Sequence, residues 1–200
     1  MDVEISNTII YVGVIVLVFL YIGGIYNHLV TLRNYYKNAL SQVDIQLTRR
    51  YELIPNLVET TKAYLTHERE TLVGITQARS QAVRAKEAVR HDPADNEAVK
   101  NLMVADTALN GQVGQFMALY ESYPDLKADI SVAQLVEELS STENRVTFAR
   151  QSYNDYVMRY NTYSEKFPNK MIADITGFKT AQLFEVENEE VRKPVRVSFS

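Results

Sequence analysis

The sequence predicts an all-α protein, in which an N-terminal transmembrane helix is followed by an antiparallel bundle of long helices and a short extended C-terminal segment. The first reason is that residues 9–26 form an almost unbroken apolar run, inside a longer stretch, residues 5–27, that holds no charged residue. The second is that apolar residues further along recur at steps of three and four, the spacing of one helix face. The third is that strands do not alternate with helices, which excludes doubly wound and barrel folds.

The composition of the chain excludes several kinds of binding partner and site. The chain has 200 residues, 46% hydrophobic and 23% charged, which fits one domain with an appended segment. A net charge of -4 leaves no basic excess, so we expect no nucleic acid partner. Because the chain has no cysteine, disulfides and thiolate metal sites are excluded.

Motifs for catalysis are missing from the sequence. His67 is followed by Glu68, but Thr71 stands where the HExxH zinc pattern needs a second histidine. The paired Glu-x-x-His steps of di-iron bundles are absent, and no nucleophile with a neighbouring base is visible. We therefore expect no enzymatic activity, no metal site and no cofactor.

The apolar run of residues 9–26 predicts a membrane anchor. At about 1.5 Å per residue it just spans the roughly 30 Å hydrocarbon layer. A cleaved signal peptide is a second interpretation, but the chain opens MDVE, and Gly23-Gly24 is followed by the bulky Ile25 and Tyr26. A buried core helix is a third, although such a helix is seldom apolar on every side over this length.

Basic residues beside the run predict its orientation. None precedes it, whereas Arg33, Lys37, Arg49 and Arg50 follow it. By the positive-inside rule we expect the short N-terminus, residues 1–8, on the outside and the helical domain in the cytoplasm.

The first bundle helix is predicted to run from about Asn27 to Val89 with a bend at Pro55. Its apolar residues fall in one sector of a helical wheel, and their phase does not jump at the proline. The residues of this sector are Leu29, Leu32, Tyr36, Ala39, Leu40, Val43, Leu47, Ile54, Leu57, Val58, Leu65, Leu72, Ile75, Ala82 and Val83. Because Pro55 has no N–H for the carbonyl of Tyr51, the helix should bend there rather than end.

A second long helix is predicted after the stretch HDPADNEAV. Asp92 is the expected cap and Pro93 suits the first helical position. Apolar residues at steps of three and four form a seam along this helix, a line of side chains on the face that packs on other helices. Asp106 is the one polar member of this seam. Gly111 and Gly114 add a strip of small residues, for which close packing of two helices is one interpretation and a hinge or partner groove the other.

A third long helix is predicted to open at Ser131–Gln134, which has the form of a capping box, and to stop at Pro168. A short helix near residues 170–175 and a turn at Gly177 should follow. Alternating apolar and polar residues then predict an extended segment over residues 183–200.

Charged residues within the apolar seams are the unusual feature of the bundle. Arg50, Glu68 and Arg79 lie in the sector of the first helix, and Asp106 lies in that of the second. Since unpaired burial of a charge costs several kcal/mol, each must pair across the bundle or mark a seam open to water. For Arg50 we expect Glu143 as the first partner and Asp106 as the second.

Three blocks of the sequence resemble the LemA family of bacterial membrane proteins. They are YNHLVTLRNYYKNALSQVDIQLTRRYELIPNLVETTKAYLTHE, TENRVTFARQSYNDYVMRYNTYSEKFP and GFKTAQLFEVENEEVRKPVRVSF. The resemblance covers roughly residues 25–199 and is weak over residues 80–135. One departure is Tyr51-Glu52, where the family more often has an aspartate before the Leu-Ile-Pro-Asn-Leu run.

The resemblance singles out residues in its first two blocks, and the seam analysis adds one. The candidate structural or assembly residues are Asp44, Arg49, Arg50, Pro55, Asn56, Glu59, Asp106, Glu143, Arg145, Arg150, Tyr153, Asn154, Tyr160, Asn161, Phe167 and Pro168. The resemblance implies one anchor with a cytoplasmic helical domain, and a role in membrane organisation or envelope maintenance without an established enzymatic activity.

The expected organisation is therefore an exposed N-terminus over residues 1–8, an anchor over 9–26, a helical bundle over 27–182 and an extended segment over 183–200. We expect a non-enzymatic scaffold in the bacterial cytoplasmic (inner) membrane that self-assembles or docks partners. The alternative is an adaptor or regulator of a membrane enzyme such as a protease. The expected partners are the lipid bilayer, further copies of the chain in a homo-oligomer, and a membrane protein.

Overall fold

The computed structural model describes residues 2–184, except the side chains of residues 2–6 and 8, and over this range it is helical with no strand. The prediction of an all-α fold is confirmed. The helices are α1 Asp2–Thr61, α2 Arg69–His91, α3 Asn96–Ser122, α4 Pro124–Ala128, α5 Ile130–Glu165 and α6 Asn169–Thr176. Most of the extended segment predicted over residues 183–200 lies outside the described residues.

Helix α1 joins the apolar run to the bundle without a break. By length and composition it is the one helix within residues 2–184 that could cross a membrane. The apolar side chains of residues 9–21 are exposed, whereas Ile25 and Leu29 are buried by the bundle. The change from exposed to buried side chains thus falls within α1 between residues 22 and 25, with no loop between the two parts.

Pro55 lies inside α1, as predicted, and the helix continues for another turn and a half to Thr61. The carbonyl of Tyr51 loses its usual intrahelical donor because proline has no N–H. Arg79 of α2 replaces that donor, with its Nε 2.6 Å from the Tyr51 oxygen. A second helix thus satisfies the group that the proline leaves free, while the bend at Pro55 stays a prediction.

The prediction of one helix from Asn27 to Val89 is wrong, because the chain reverses direction between α1 and α2. Residues 62–68 form the turn, and α2 then runs back along α1, since Arg79 contacts Tyr51 and Lys86 contacts Asp44 further back. The turn spans seven residues, about two helical turns, so the apolar phase is the same before and after it. A helical wheel therefore could not reveal the reversal.

Helix α5 packs along α1, and α2 packs along α3. Residues later in α1 contact residues earlier in α5: His28 lies against Tyr163, and Arg50 against Glu143. These two helices are therefore antiparallel. Between those contacts the ring centroids of Tyr36 and Tyr160 lie 5.1 Å apart, with an angle of 57° between the ring planes. This distance is in the range of favourable aromatic pairs.

Two helix starts differ from the prediction. Asp95 rather than Asp92 caps α3, with its side chain accepting bonds from the backbone of Glu97 and Ala98. Asp92 instead ends α2. At α5 the cap is Asp129, which accepts from the N–H groups of residues 131 and 132, so the expected capping box at Ser131 is not formed.

The short helix expected near residues 170–175 is α6, and it ends at Gly177 with a φ of 77°. Glycine suits this left-handed position because it has no Cβ to clash. Phe178, directly after this turn, packs its ring 5.7 Å from that of Tyr26. Helix α6 is thereby held at the end of the bundle where the apolar run of α1 begins.

The glycines of α3 do not mediate close packing of two helices. Cβ atoms placed on Gly111 and Gly114 would meet no atom of the described residues within 4 Å, so no other helix among α1–α6 packs closely on the strip. The close approach occurs at Gly74 of α2 instead, where a Cβ would run into the side chain of Gln112. Of the two interpretations of the strip, close packing is therefore wrong for these two glycines.

Candidate functional site

The charged residues of the seams meet in one cluster, the buried charge cluster, formed by Arg50, Asp106, Glu143 and Arg150. Arg50 is only 2% exposed and Asp106 is fully buried. Nη1 of Arg50 lies 2.7 Å from Oε2 of Glu143 and 3.6 Å from Oδ2 of Asp106. Both predicted partners of Arg50 are confirmed. The contact with Glu143 is a close ion pair, although its angles are not those of a hydrogen bond.

Asp106 is the centre of the cluster because it joins three helices. Its Oδ1 accepts a bond from the hydroxyl of Tyr51 on α1 at 2.8 Å, and its Oδ2 accepts one from Arg150 on α5. Arg50 also donates to Oδ1 of Asn110, one turn further along α3. Burial, and then the negative charge of Asp106, raise the pKa of Tyr51 well above its ordinary value.

The charges of the cluster balance, with two guanidinium groups facing two carboxylates. Such an arrangement holds α1, α3 and α5 against one another, because removing the carboxylate of Asp106 would leave the two guanidinium groups facing a single acid. Within residues 2–184 no group of three or more His, Asp or Glu side chains is arranged to hold a metal ion. The contacts of the cluster are ion pairs and hydrogen bonds that join helices to one another.

A second polar site, the C-terminal clamp, consists of Tyr153, Asn154, Tyr160 and Asn161 on α5. These residues hold the irregular stretch of residues 179–184 by its backbone. Asn161 donates to the carbonyl of Ala181 and accepts from its N–H, both at 2.9 Å. Asn154 makes the same pair of bonds with Phe184, at 3.0 and 2.7 Å.

The tyrosines of the clamp add one bond each. The hydroxyl of Tyr160 donates to the carbonyl of Lys179, and that of Tyr153 donates to the carbonyl of Gln182, both at 2.8 Å. Asn96, at the start of α3, bonds the opposite edge of the stretch at Thr180 and Gln182. Burial raises the pKa of Tyr160 to about 12 and also raises the pKa of Tyr153.

The register of the clamp follows from the geometry of the two chain segments. Asn154 and Asn161 are seven residues apart on a helix, a rise of about 10.5 Å. Ala181 and Phe184 are three residues apart, and three residues of extended chain cover about 10 Å. Two identical side chains one heptad apart can therefore each bind a residue of an extended segment that runs in the opposite direction.

The remaining predicted residues do not gather at either site. Oδ1 of Asp44 lies 3.5 Å from Nζ of Lys86, which also donates a hydrogen bond to the hydroxyl of Thr48. The others sit at separate positions on the surface, and all except the half-buried Pro168 are exposed: Arg49, Pro55, Asn56, Glu59, Arg145, Phe167 and Pro168. For these residues the structure gives no shared role. Of the other seam charges, Glu68 accepts a bond from the hydroxyl of Tyr123 at 3.1 Å.

Four contributing residues were not predicted from the sequence: Tyr51, Lys86, Asn110 and Asn96. Lys86 lies seven residues after Arg79 and Asn110 lies four after Asp106, so each shares a helix face with a seam charge that was recognised. That spacing could have identified both. Asn96 carries no comparable signal, because its partners are backbone groups of a segment 84 and 86 residues away.

A family model described as the LemA family matches residues 39–199. The chain belongs to the LemA family. The matched range includes both the buried charge cluster and the C-terminal clamp, and it begins after the apolar run of residues 9–26. The family resemblance deduced from the three sequence blocks is confirmed.

Curated LemA-family relatives are distant but similar over most of the chain. Magnetosome protein MamQ 2 of Paramagnetospirillum magneticum is 26% identical over 175 residues, 80% of this chain and 64% of the relative. Magnetosome protein MamQ of Magnetospirillum gryphiswaldense is 26% identical over 174 residues, with the same coverage. Protein LemA of Metamycoplasma hominis is 26% identical over 183 residues, 86% of this chain and 75% of that protein. The chain thus spans slightly less than two thirds of the length of the MamQ relatives.

Proposed function

We propose that this LemA-family protein is a membrane-anchored, non-enzymatic helical scaffold that self-assembles or docks partners at the cytoplasmic face of a bacterial inner membrane. The observation that carries the proposal is the unbroken helix α1, whose exposed apolar residues lead directly into the buried face of the bundle. Exposed apolar side chains on every side of a helix are stable in lipid and not in water. With no turn between anchor and bundle, the domain would be mounted rigidly on the membrane.

The interior of the bundle supports a structural role. Its buried charges pair with one another, and its buried tyrosines and asparagines bind the chain's own backbone. Side chains that pair with one another or bind the chain's own backbone in this way favour a structural role over substrate binding. Relatives named as magnetosome proteins support a role in internal membrane organisation, which the family resemblance also implies.

Basic residues support the cytoplasmic placement of the bundle. Arg33 and Lys37 follow the apolar run within α1. Lys170 lies in α6, and Lys166 and Lys179 lie just before and after it. Helix α6 contacts α1 at the same end of the bundle. A positive surface beside a membrane span favours the cytoplasmic side.

Light scattering of the full chain in a mild non-ionic detergent tests self-assembly. We expect a defined oligomer, and a smaller or more dissociated one when residues 183–200 are removed. Removal of residues 185–200 alone is the matched control for folding, since it leaves Phe184 and its two bonds to Asn154 in place. A monodisperse monomer in all three forms would refute self-assembly.

The alternative, an adaptor for a membrane enzyme, is favoured by a groove at the opposite end of the bundle. This groove has a volume of 480 Å³ and lies between the end of α1 and the start of α2, where Val58, Leu65, Leu72 and Val73 line it. Thr61 is 35 residues beyond Tyr26, which places the groove about 50 Å from the membrane end of the helix. Crosslinking in cells followed by mass spectrometry separates the two, because an adaptor should yield a monomer joined to one reproducible membrane protein.

A further inference from the structure

Helix α6 exposes an apolar face that no residue between 2 and 184 covers. Phe167 and Ile175 are each 83% exposed and Met171 is 58% exposed, although all three are large apolar residues. They follow one another at steps of four residues, so the two within the helix lie on one face and Phe167 precedes them in the same spacing. The opposite face, with Asn169 and Ala173, is buried against the bundle.

The position of α6 shows which surroundings this face meets. The helix contacts both α1 and α5, and Phe178 directly after it packs on Tyr26, the last residue of the apolar run. The guanidinium of Arg33, two turns further along α1, lies 4.8 Å from the centre of the Phe178 ring. Helix α6 therefore lies at the level of α1 where the membrane span would meet the aqueous side.

The charges around α6 match a lipid surface. Lys166, Lys170 and Lys179 are exposed beside the apolar face. Nζ of Lys170 is 2.7 Å from Oδ1 of Asp174, and Glu165 is exposed beside Lys166, so the three lysines exceed the two carboxylates by one positive charge, which favours lipid phosphates. Amphipathic helices with this pattern lie in the plane of a bilayer interface, with the apolar residues in the boundary between headgroups and acyl chains. Long lysine side chains can reach the headgroups from there.

We propose that Phe167, Met171 and Ile175 form a membrane foot, which inserts into the interfacial layer of the same bilayer that residues 9–26 cross. The proposal rests on the proposed membrane anchor and extends it, because it gives the bundle a second attachment to the lipid. Two attachments, one through α1 and one through α6, fix the rotation of the bundle about the span as well as its height. The surface that the bundle presents along the membrane is then defined.

Single-cysteine labelling tests the foot, and the natural absence of cysteine makes the background clean. The full chain is reconstituted into phosphatidylcholine vesicles, with a fluorophore on one introduced cysteine and nitroxide-labelled lipid as the quencher. Ile175→Cys reports on the foot, and Leu17→Cys reports on the span. Phe148→Cys is the matched control, since Phe148 is also largely exposed, at 70%. It lies on α5 between Glu143, which contacts Arg50, and Tyr156, which contacts Tyr35, so it is further from the membrane than Tyr26.

We expect strong quenching at Ile175 by a nitroxide near the headgroup, strong quenching at Leu17 by a nitroxide deep in the acyl chain, and little at Phe148. Quenching at Leu17 without quenching at Ile175 would overturn the foot and leave the anchor standing. Absence of quenching at Leu17 would overturn the anchor, and the foot with it. Equal quenching at Phe148 and Ile175 would also overturn the foot, because the bundle would then lie along the membrane without preference for α6.

A charge substitution supplies an independent measurement. With the label on Met171→Cys, the further change Ile175→Glu should abolish quenching by the shallow nitroxide, since a carboxylate at the interface disfavours insertion. Ile175 is exposed, so the circular dichroism spectrum should not change. Undiminished quenching in the Ile175→Glu protein would contradict insertion of this face.

Discussion

Neutralising Asp106 should destabilise the bundle more than any other single change in the buried charge cluster. Asp106 is fully buried and takes bonds from Tyr51 and Arg150 while Arg50 lies 3.6 Å away. In Asp106→Asn the side chain keeps its volume, but two guanidinium groups lose a shared carboxylate and an amide N–H now faces them. Removing one partner of a buried ion pair typically costs about 3–5 kcal/mol.

Arg50→Met should be milder, at no more than about 1.5 kcal/mol, because its partners have other means of stabilisation. Asp106 keeps its bonds to Tyr51 and Arg150, and the side chain of Glu143, 39% exposed, can be hydrated. The methionine fills the space of the arginine stem with apolar atoms. The double variant should be less destabilised than the sum of the two changes, since Asp106→Asn leaves two arginines facing one carboxylate and Arg50→Met restores the balance of charge.

Urea unfolding of the full chain in non-ionic detergent, followed by circular dichroism, measures these free energies. The detergent keeps the apolar run covered in every variant, so the transition reports on the bundle. If Arg50→Met proved as destabilising as Asp106→Asn, or if the two effects were additive, Asp106 would not be the centre of the cluster. Loss of oligomers in Arg50→Met with unfolding unchanged would instead give Arg50 a role in assembly.

Three further predictions concern the proline, the clamp and pH. Arg79→Met should lower the free energy of unfolding by about 1.5–3 kcal/mol in the natural chain, because the carbonyl of Tyr51 loses its donor. The loss should be smaller in a Pro55→Ala background, where the N–H of residue 55 supplies a donor within the helix. An equal loss in both backgrounds would show that Arg79 does not act through the Tyr51 carbonyl. Asn161→Ala should cost about 1–3 kcal/mol for its two backbone bonds, whereas Asn144→Ala, on the exposed side of the same helix, should cost little in the same unfolding assay. Burial raises the pKa of Tyr160 to about 12, above its unfolded value of about 10, so its contribution is complete below pH 10 and is lost as the pH rises towards 12. Urea unfolding at pH 9 and pH 11.5 should therefore show the natural chain losing stability relative to Tyr160→Phe, and a constant difference would contradict the assignment.

Two long helices, α3 and α5, and the two ion pairs of Arg50 could be predicted because their signals are periodic and local. Steps of three and four identified α3 and α5, and a charge in an apolar seam required a partner, which led from Arg50 to Glu143 and Asp106. The reversal between α1 and α2 could not be predicted in this way, because seven residues of turn restore the phase that a helix would have kept. A cap was also ambiguous where two aspartates, Asp92 and Asp95, stand three residues apart before the same helix.

The clamp could be reached from the sequence only through the family resemblance. Tyr153, Asn154, Tyr160 and Asn161 look like an ordinary mixed helix face, and their partners are backbone groups that leave no pattern in the amino acids of the bound stretch. Only the α5 side of the interaction can therefore be predicted from residue types. The residues on α5 bind through their side chains, whereas the stretch from Lys179 to Phe184 is bound through its backbone, with the ring of Phe184, packed on that of Tyr153, as the exception.

That difference makes the clamp tolerant of substitution and sensitive to length. Since Asn161 and Asn154 bind main-chain atoms of Ala181 and Phe184, side chains between these two can change without loss of a bond. One residue inserted between them would add about 3.3 Å of extended chain, more than a hydrogen bond can stretch, and would release one asparagine from its partner. Mutational drift should thus leave the spacing between Ala181 and Phe184 unchanged while Gln182 and Leu183 vary, whereas Phe184 should stay aromatic because its buried ring packs on that of Tyr153.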